Sequence, residues 1–322
     1  SYSWNTMPFQ TSSTATGLSA GTYTCTVTDD VGCSIDETIT ITEPDAISTI
    51  KSIVNVSCNG GSDGQITVSA SGGNFPYTYD LSPNGFMYSG VTMIANNLSA
   101  GTYSVTVSDN NNCQYSTQFN IYEPSFLSSS VALSDYNGFG ISCNGATDGQ
   151  ITISASGGSG TYSYSINGGL NTMSSNIFGL VPAGTYTCAV IDGNGCTETT
   201  QATITEPTVI STSESTTNIS CNGNDGTATV TASGGNAPYT YLWNTALIQT
   251  VQTVNNLSAG NYTWVITDAN GCSAISNVVS LADPICGCTD SLATNYDATA
   301  NADDSTCTYC NFLSINLSQT PV

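Results

Sequence analysis

The sequence predicts an all-β chain built from tandem two-sheet sandwiches, and three observations predict it. Thr, Ser, Gly, Asn, Val, Ile and Tyr dominate the 322 residues, and these residues form strands and turns rather than helices. Apolar and polar residues alternate with period 2 between turn signals spaced roughly 8–12 residues apart. Two phrases recur in fixed order, with a period of about 80 residues.

The first phrase is Ile/Val-Ser-Cys-Asn-Gly, then Asp-Gly, an alternating strand and Ala-Ser-Gly-Gly. It runs from Val56 to Gly73, Ile141 to Gly158 and Ile219 to Gly235. A Tyr-x-Tyr strand follows each copy (Tyr77 and Tyr79, Tyr162 and Tyr164, Tyr239 and Tyr241). The second phrase is a Leu shortly before Ala-Gly-Thr/Asn-Tyr, then an alternating strand, an Asp turn and a Cys. It runs from Leu18 to Cys33, Leu98 to Cys113, Leu180 to Cys196 and Leu257 to Cys272. Each copy closes on an acidic residue and a proline: Glu43-Pro44, Glu123-Pro124, Glu206-Pro207 and Asp283-Pro284.

Period 2 is plain inside each repeat. Ile66 and Val68 alternate with Thr67 and Ser69, and Tyr103, Val105 and Val107 share one face, the pattern of half-buried antiparallel strands. Six or seven short strands per repeat imply an immunoglobulin-like β-sandwich. The tyrosine of Ala-Gly-Thr-Tyr suits a sandwich corner, its hydroxyl bonded to backbone, and equally suits a plain core position. The expected domains are 1–43, the second half of a repeat, because Tyr2-Ser3-Trp4-Asn5 matches Tyr241-Leu242-Trp243-Asn244; then 44–123, 124–206 and 207–284, three complete repeats; then 285–322, a Cys-rich module. A chain that opens inside a repeat is expected to be part of a longer protein whose export and anchoring signals lie elsewhere. Short proline links restrict the residue before them to extended backbone. The repeats should therefore form an extended rod on the order of 150 Å long.

Composition excludes several functions. Asp and Glu number 23 against one basic residue, Lys51, for a net charge of −22. No cationic surface exists to bind nucleic acid or an anionic membrane. Histidine is absent, so no Ser-His-Asp or Cys-His centre can form. No Gly-rich phosphate loop with its Lys occurs, and no apolar run of about 18 residues suggests a membrane span. A paired-carboxylate hydrolase remains formally open. However, Asp63, Asp148 and Asp225, and Asp109, Asp192 and Asp268, recur at the same turns in every repeat. Asx-turn chemistry predicts such repetition, whereas an active site would not be copied three times. The chain reads as a non-enzyme that requires no cofactor.

Thirteen cysteines at repeated positions indicate an oxidising compartment. The simplest pairing is one bond inside each repeat: Cys58–Cys113, Cys143–Cys196 and Cys221–Cys272, with Cys33 left over. Cys25 and Cys188 lie on the inward face of the second-phrase strand. They read either as small core hydrophobes with free thiols or as partners of Cys33 and Cys196. The last segment has Cys288–Cys307 and Cys286–Cys310 as its expected bridges. It also gathers Asp290, Asn295, Asp297, Asn301, Asp303 and Asp304 in a short loop. Hard oxygen donors at this density suit calcium, although the loop lacks the glycine and terminal glutamate of an EF-hand. The competing reading is a disulfide-stapled run of Asx turns.

The two phrases together, Ser-Cys-Asn-Gly-x-x-Asp-Gly-x-Ile-x-Val-x-Ala-x-Gly-Gly and Ala-Gly-Thr-Tyr…Asp-x-x-Gly-Cys, resemble the SprB repeat across residues 1–283. That family occurs in large surface adhesins of Bacteroidota, the gliding-motility adhesin among them. The resemblance implies export by type IX secretion, surface-anchoring machinery as partner, a position at the outer-membrane-attached cell surface, and an extracellular substratum or polysaccharide as target. It also implies O-glycosylation at Asp-Ser/Thr sites, for which Ser291 and Ser305 fit. The expected function is a structural stalk segment of a cell-surface adhesin supporting adhesion and gliding motility. The alternatives are repeats that bind glycan themselves, with Tyr77, Trp243 and Trp264 as the aromatic hints, or the accessory stalk of a secreted hydrolase.

Overall fold

The alternating segments become strands, and turns and irregular loops join them. The computed structural model describes residues 1–276 and 278–310, and every regular element among them is a β-strand. The first sheet joins β1 (Tyr2–Trp4), β2 (Gly21–Thr28) and β3 (Ser34–Ile41) in the order β1-β2-β3. Then come β4 (Ser48–Val54), β5 (Gly64–Ser71), β6 (Thr78–Ser82), β7 (Phe86–Ser89), β8 (Thr92–Leu98), β9 (Gly101–Ser108) and β10 (Gln114–Ile121). These form two sheets, β4-β5-β8 and β10-β9-β6-β7.

Both sheets feed one core. Ile66, Val68, Met93, Ala95 and Leu98 come from the first; Tyr79, Leu81, Tyr103, Val105, Val107, Phe119 and Ile121 come from the second. All are buried, so this is a seven-stranded immunoglobulin-like sandwich with alternate residues facing inward. Lys51, on edge strand β4, lies over the Phe119 ring at 5.3 Å from its centroid. It thereby clasps the two sheets through a cation–π contact.

The pattern repeats with β11 (Ser125–Leu133), β12 (Gly149–Gly158), β13 (Tyr162–Ser165), β14 (Ile177–Val181), β15 (Gly184–Asp192) and β16 (Thr197–Ile204), paired as β11-β12-β14 and β13-β15-β16. It repeats again with β17 (Ser211–Thr217), β18 (Gly226–Ser233), β19 (Thr240–Trp243), β20 (Thr253–Leu257), β21 (Gly260–Tyr262), β22 (Trp264–Thr267), β23 (Ser273–Ile275) and β24 (Val279–Leu281). Here the sheets are β17-β18-β20 and β19-β22-β23, and β21 pairs separately with β24. Two short parallel strands close the described chain: β25 (Cys286–Gly287) and β26 (Ala302–Asp303). By backbone contacts the chain divides into two compact units. One is 1–127 with 157–160 and 193–196; the other is the remaining described residues.

Local chemistry explains the phrases. The first glycine of each Gly-Gly pair (Gly72, Gly157, Gly234) has φ of +77°, +82° and +77°. A Cβ there would collide with the carbonyls of Ala46, Phe126 and Val209 respectively, so only glycine lets the chain entering the sandwich lie against this turn. All four second-phrase tyrosines form the corner bond. The hydroxyls of Tyr23, Tyr103, Tyr186 and Tyr262 donate to the carbonyls of Ser19, Ser99, Pro182 and Ser258 at 2.9, 3.0, 2.9 and 2.9 Å. The corner reading is therefore correct.

The leucine that opens the second phrase needs one correction. Gly64 pairs with Leu98, Gly226 with Leu257, and Gly149 with Val181. Val181, not Leu180, is the buried counterpart of Leu98. Leu180 instead takes the place of Asn97 at a bulge with φ of 58°.

Candidate functional site

The residues that organise each repeat lie in two turns at opposite ends of the sandwich. The first holds Ser-Cys-Asn-Gly. Asp63 Oδ1 accepts the Ser57 amide at 3.0 Å, and the Gly61 amide donates to the Cys58 carbonyl at 3.0 Å. The exit segment grips the same turn. Asn59 Nδ2 donates to the Pro124 carbonyl at 3.0 Å, and the Gly60 amide donates to Glu123 Oε2 at 2.5 Å. The next repeat copies this set. Ser142 bonds Asp148 at 3.1 Å, Asn144 bonds Pro207 at 3.0 Å and Gly145 bonds Glu206 at 2.8 Å. In the third, the Ser220 amide donates to Asp225 at 2.8 Å. The serine hydroxyl above all, with the serine amide, holds Asp63, Asp148 and Asp225 below the usual carboxylate range.

The second turn closes on Asp109, which is buried. Its Oδ1 accepts the amides of Asn111 and Cys113 at 2.8 and 2.9 Å, and its Oδ2 accepts the Asn74 amide at 2.9 Å. Asn74 follows the Gly-Gly pair, so this carboxylate ties the Cys113 turn to the entry end of the sandwich. The Asn74 amide leads the causes that hold the Asp109 carboxyl low. Asp268 repeats the arrangement with Asn270, Cys272 and Asn236.

This geometry overturns the expected pairing. Cys58 sits at the exit end and Cys113 at the entry end of the same sandwich, with the eight residues of β5 running between. At about 3.3 Å per residue the two turns lie on the order of 25 Å apart, whereas a disulfide needs Cα atoms within about 7 Å. Cys58 instead bonds Cys196, with Cα atoms 5.7 Å apart. Cys143 bonds Cys272 at 5.6 Å, and Cys221 bonds Cys286 at 5.6 Å. Cys58–Cys113, Cys143–Cys196 and Cys221–Cys272 are not formed. Each first-phrase cysteine bonds forward, to the second-phrase cysteine of the following repeat or, at the end of the series, to the Cys-rich segment. Cys288 bonds Cys307. Cys286–Cys310 is not formed, because Cys286 is taken by Cys221 and Cys310 is free. Cys25 and Cys188 are buried free thiols, and burial raises the Cys188 thiol above its ordinary value.

Asparagines that the sequence reading passed over line these junctions. Asn194 Nδ2 donates to the Ser57 carbonyl at 2.9 Å. Its counterpart Asn270 donates to the Tyr136 and Ser142 carbonyls at 3.2 and 3.1 Å. The only sequence signal for them is an Asn two residues before each bonded second-phrase cysteine. Glu123 and Glu206 read as linker residues, because their partners stand about sixty residues away in the chain.

In the last segment the six candidate calcium ligands engage in local hydrogen bonds. Asp290 accepts the Leu292 amide and the Tyr309 hydroxyl; Asp297 accepts the amide and hydroxyl of Thr299, and Asp304 those of Thr306. Asp303 accepts the Ser305 amide, Asn301 the Ile285 amide, and Asn295 the Thr308 amide. Among the described residues no three acidic or cysteine side chains gather as a cation site. Ser291 and Ser305 are exposed. Tyr77, Trp243 and Trp264 are buried core residues, so these aromatics offer no glycan platform. Among the described residues no helix is long and apolar enough to cross a membrane.

The SprB repeat profile matches residues 50–86, 141–171 and 213–247. Each matched stretch contains one first-phrase cysteine, Cys58, Cys143 or Cys221, so the similarity is to the first half of each repeat. No curated protein matches the sequence. Several solved structures are similar in outline. A Dscam structure described for isoform specificity is 13% identical, covering 85% of this chain and 83% of that one, with a TM-score of 0.23. The FN1–FN3 domains of chicken CNTN1 are 11% identical, covering 74% and 99%, with a TM-score of 0.22. Cadherin domains 1–4 of protocadherin gamma B7 are 11% identical, covering 81% and 82%, with a TM-score of 0.25.

Proposed function

We propose that this chain is a structural stalk segment of a secreted cell-surface adhesin, in which disulfides between consecutive repeats carry tension. The observation that carries this reading is the forward register of Cys58–Cys196, Cys143–Cys272 and Cys221–Cys286. A bond inside a repeat would stiffen that repeat alone. A bond to the next repeat takes force past the sandwich between. Pulled from its ends, the oxidised chain can pay out only the stretch from Cys196 to Cys221 between the points Cys58 and Cys286. That is roughly 25 residues, on the order of 90 Å at full extension. Without the bonds the same points are separated by roughly 230 residues, on the order of 800 Å.

The three matches to the SprB repeat profile and the disulfides support a place outside the cell. They also support type IX secretion, attachment at the outer membrane and a role in adhesion or gliding as the setting of this stalk. The absence of histidine and the copying of each acidic turn support a non-enzymatic role. Single-molecule pulling from the two ends tests the reading. The fully unfolded length in oxidising buffer should fall about 700 Å short of that in excess dithiothreitol. Equal lengths in the two buffers would reject a tension-carrying role.

A further inference from the structure

The forward register leaves one turn without its partner. Cys113 is exposed and free, although it occupies the position of Cys196 and Cys272. Its turn is built like theirs: Asp109 accepts the amides of Asn111 and Cys113 as Asp268 accepts those of Asn270 and Cys272. Asn111 stands where Asn194 and Asn270 reach the carbonyls of Ser57 and Ser142.

A second observation lies in the sheet β1-β2-β3. Register aligns it with the four-stranded sheet of the first complete repeat: Tyr2 faces Val27 as Tyr79 faces Val107, and Ile39 faces Tyr23 as Phe119 faces Tyr103. In the complete repeat these positions are covered by β4-β5-β8, and Tyr79 and Phe119 are 0% and 2% exposed. Tyr2 and Ile39 are 40% and 47% exposed. The Tyr79 hydroxyl bonds the Ala70 amide of β5 at 3.2 Å. Asp29, the counterpart of Asp109, accepts the Val31 and Cys33 amides. Asp109 accepts a third amide, that of Asn74, through its second oxygen.

We infer that the open face of β1-β2-β3 and the thiol of Cys113 are two parts of one docking site, whose occupant is a two-stranded Ser-Cys-Asn-Gly hairpin of a further repeat. The hairpin lays its alternating strand on Tyr2, Val27, Ile39 and Ile41, as β5 and β18 lie on their own sheets. Its Gly-Gly-Asn end supplies the third amide to Asp29. Its cysteine reaches Cys113 as Cys143 reaches Cys272. The two thiols lose two protons and two electrons to an extracellular disulfide-forming oxidant, which is reduced in turn. Three internal copies of this hairpin, each seated on its own sheet, identify the occupant. A peptide that offered only apolar surface would not satisfy the Asp29 carboxylate or the thiol.

The test supplies the hairpin. Residues 207–239 contain β17, β18, Cys221 and Asn236, and Tyr2 corresponds to Tyr241 by register. The full chain is therefore made with a second copy of 207–239 joined ahead of Ser1. Cys113 should become resistant to alkylation, and a proteolytic fragment should link it to the copied cysteine. With Cys221→Ser in the copy, Cys113 should be alkylated again while thermal unfolding stays raised above that of the unextended chain. Full alkylation of Cys113 in the extended chain, or a bond from the copied cysteine to Cys33 or Cys310, overturns the proposal. A second measurement needs no folding of the fusion. A synthetic 207–239 peptide carrying an activated disulfide is added to the unaltered chain, whose exposed thiols are Cys33, Cys113 and Cys310. Cys113 should react about tenfold faster than either of the others; equal reaction at all three overturns the docking site.

Discussion

Leu180 holds a left-handed backbone, φ 58°, that Asn97 and Asn256 hold in the neighbouring repeats at 58° and 59°. In this region the Cβ of a bulky L-residue crowds the following carbonyl, while Asn tolerates it through local hydrogen bonding. The Leu180 side chain is 80% exposed, so its apolar surface gains little in return. Leu180→Asn should therefore stabilise the chain by about 1 kcal/mol in a denaturant titration; a destabilised variant would show that the leucine has a packing role. Matching the leucines of the second phrase misplaced this residue. Burial decides the alignment, and the burial of Val181 against the exposure of Leu180 appears only once strand register is known. Sequence period showed correctly that Tyr103, Val105 and Val107 face inward, because alternation at 2.0 leaves little choice of face.

At the scale of the turn, the Asp of each Asp-Gly pair holds the Ser-Cys-Asn-Gly segment through the serine hydroxyl and amide. These carboxyls titrate below the unfolded value of about 3.9. A depressed folded value means that the turn contributes its stability above the unfolded value and loses it as pH falls through the folded one. The denaturation midpoint should be flat from pH 7 to about 5 and fall below about pH 4. The triple variant Asp63→Asn, Asp148→Asn, Asp225→Asn should show a shallower fall; an unchanged acid slope would place the pH dependence elsewhere. Repetition of Asp at turns made this chemistry legible in the sequence. The grip of Glu123 on Gly60 was not legible, since no local spacing relates a linker glutamate to a glycine in a preceding turn.

For the molecule as a whole, the cysteine count and spacing suggested one closed pair in every repeat. Even spacing is equally compatible with a bond to the next repeat, and only the placement of the two turns at opposite ends of the sandwich separates the two. Bonding forward also closes longer loops. The Cys58–Cys196 bond spans 138 residues and the Cys143–Cys272 bond 129, each worth on the order of 5 kcal/mol in the chain-entropy account, less where loops overlap. Such bonds couple neighbours that would otherwise unfold as separate units, as the energetics of repeat proteins require for cooperative resistance. Fold class was legible because composition, period and repeats all agree; connectivity was not, because it depends on which end of a sandwich each turn occupies.

The forward register is tested most directly by mass spectrometry of the unreduced protein after digestion with pepsin, whose acid optimum suppresses thiol exchange and which does not depend on the single lysine. Linked fragments joining Cys58 to Cys196, Cys143 to Cys272 and Cys221 to Cys286 are the predicted result, while fragments joining Cys58 to Cys113, Cys143 to Cys196 and Cys221 to Cys272 would contradict it.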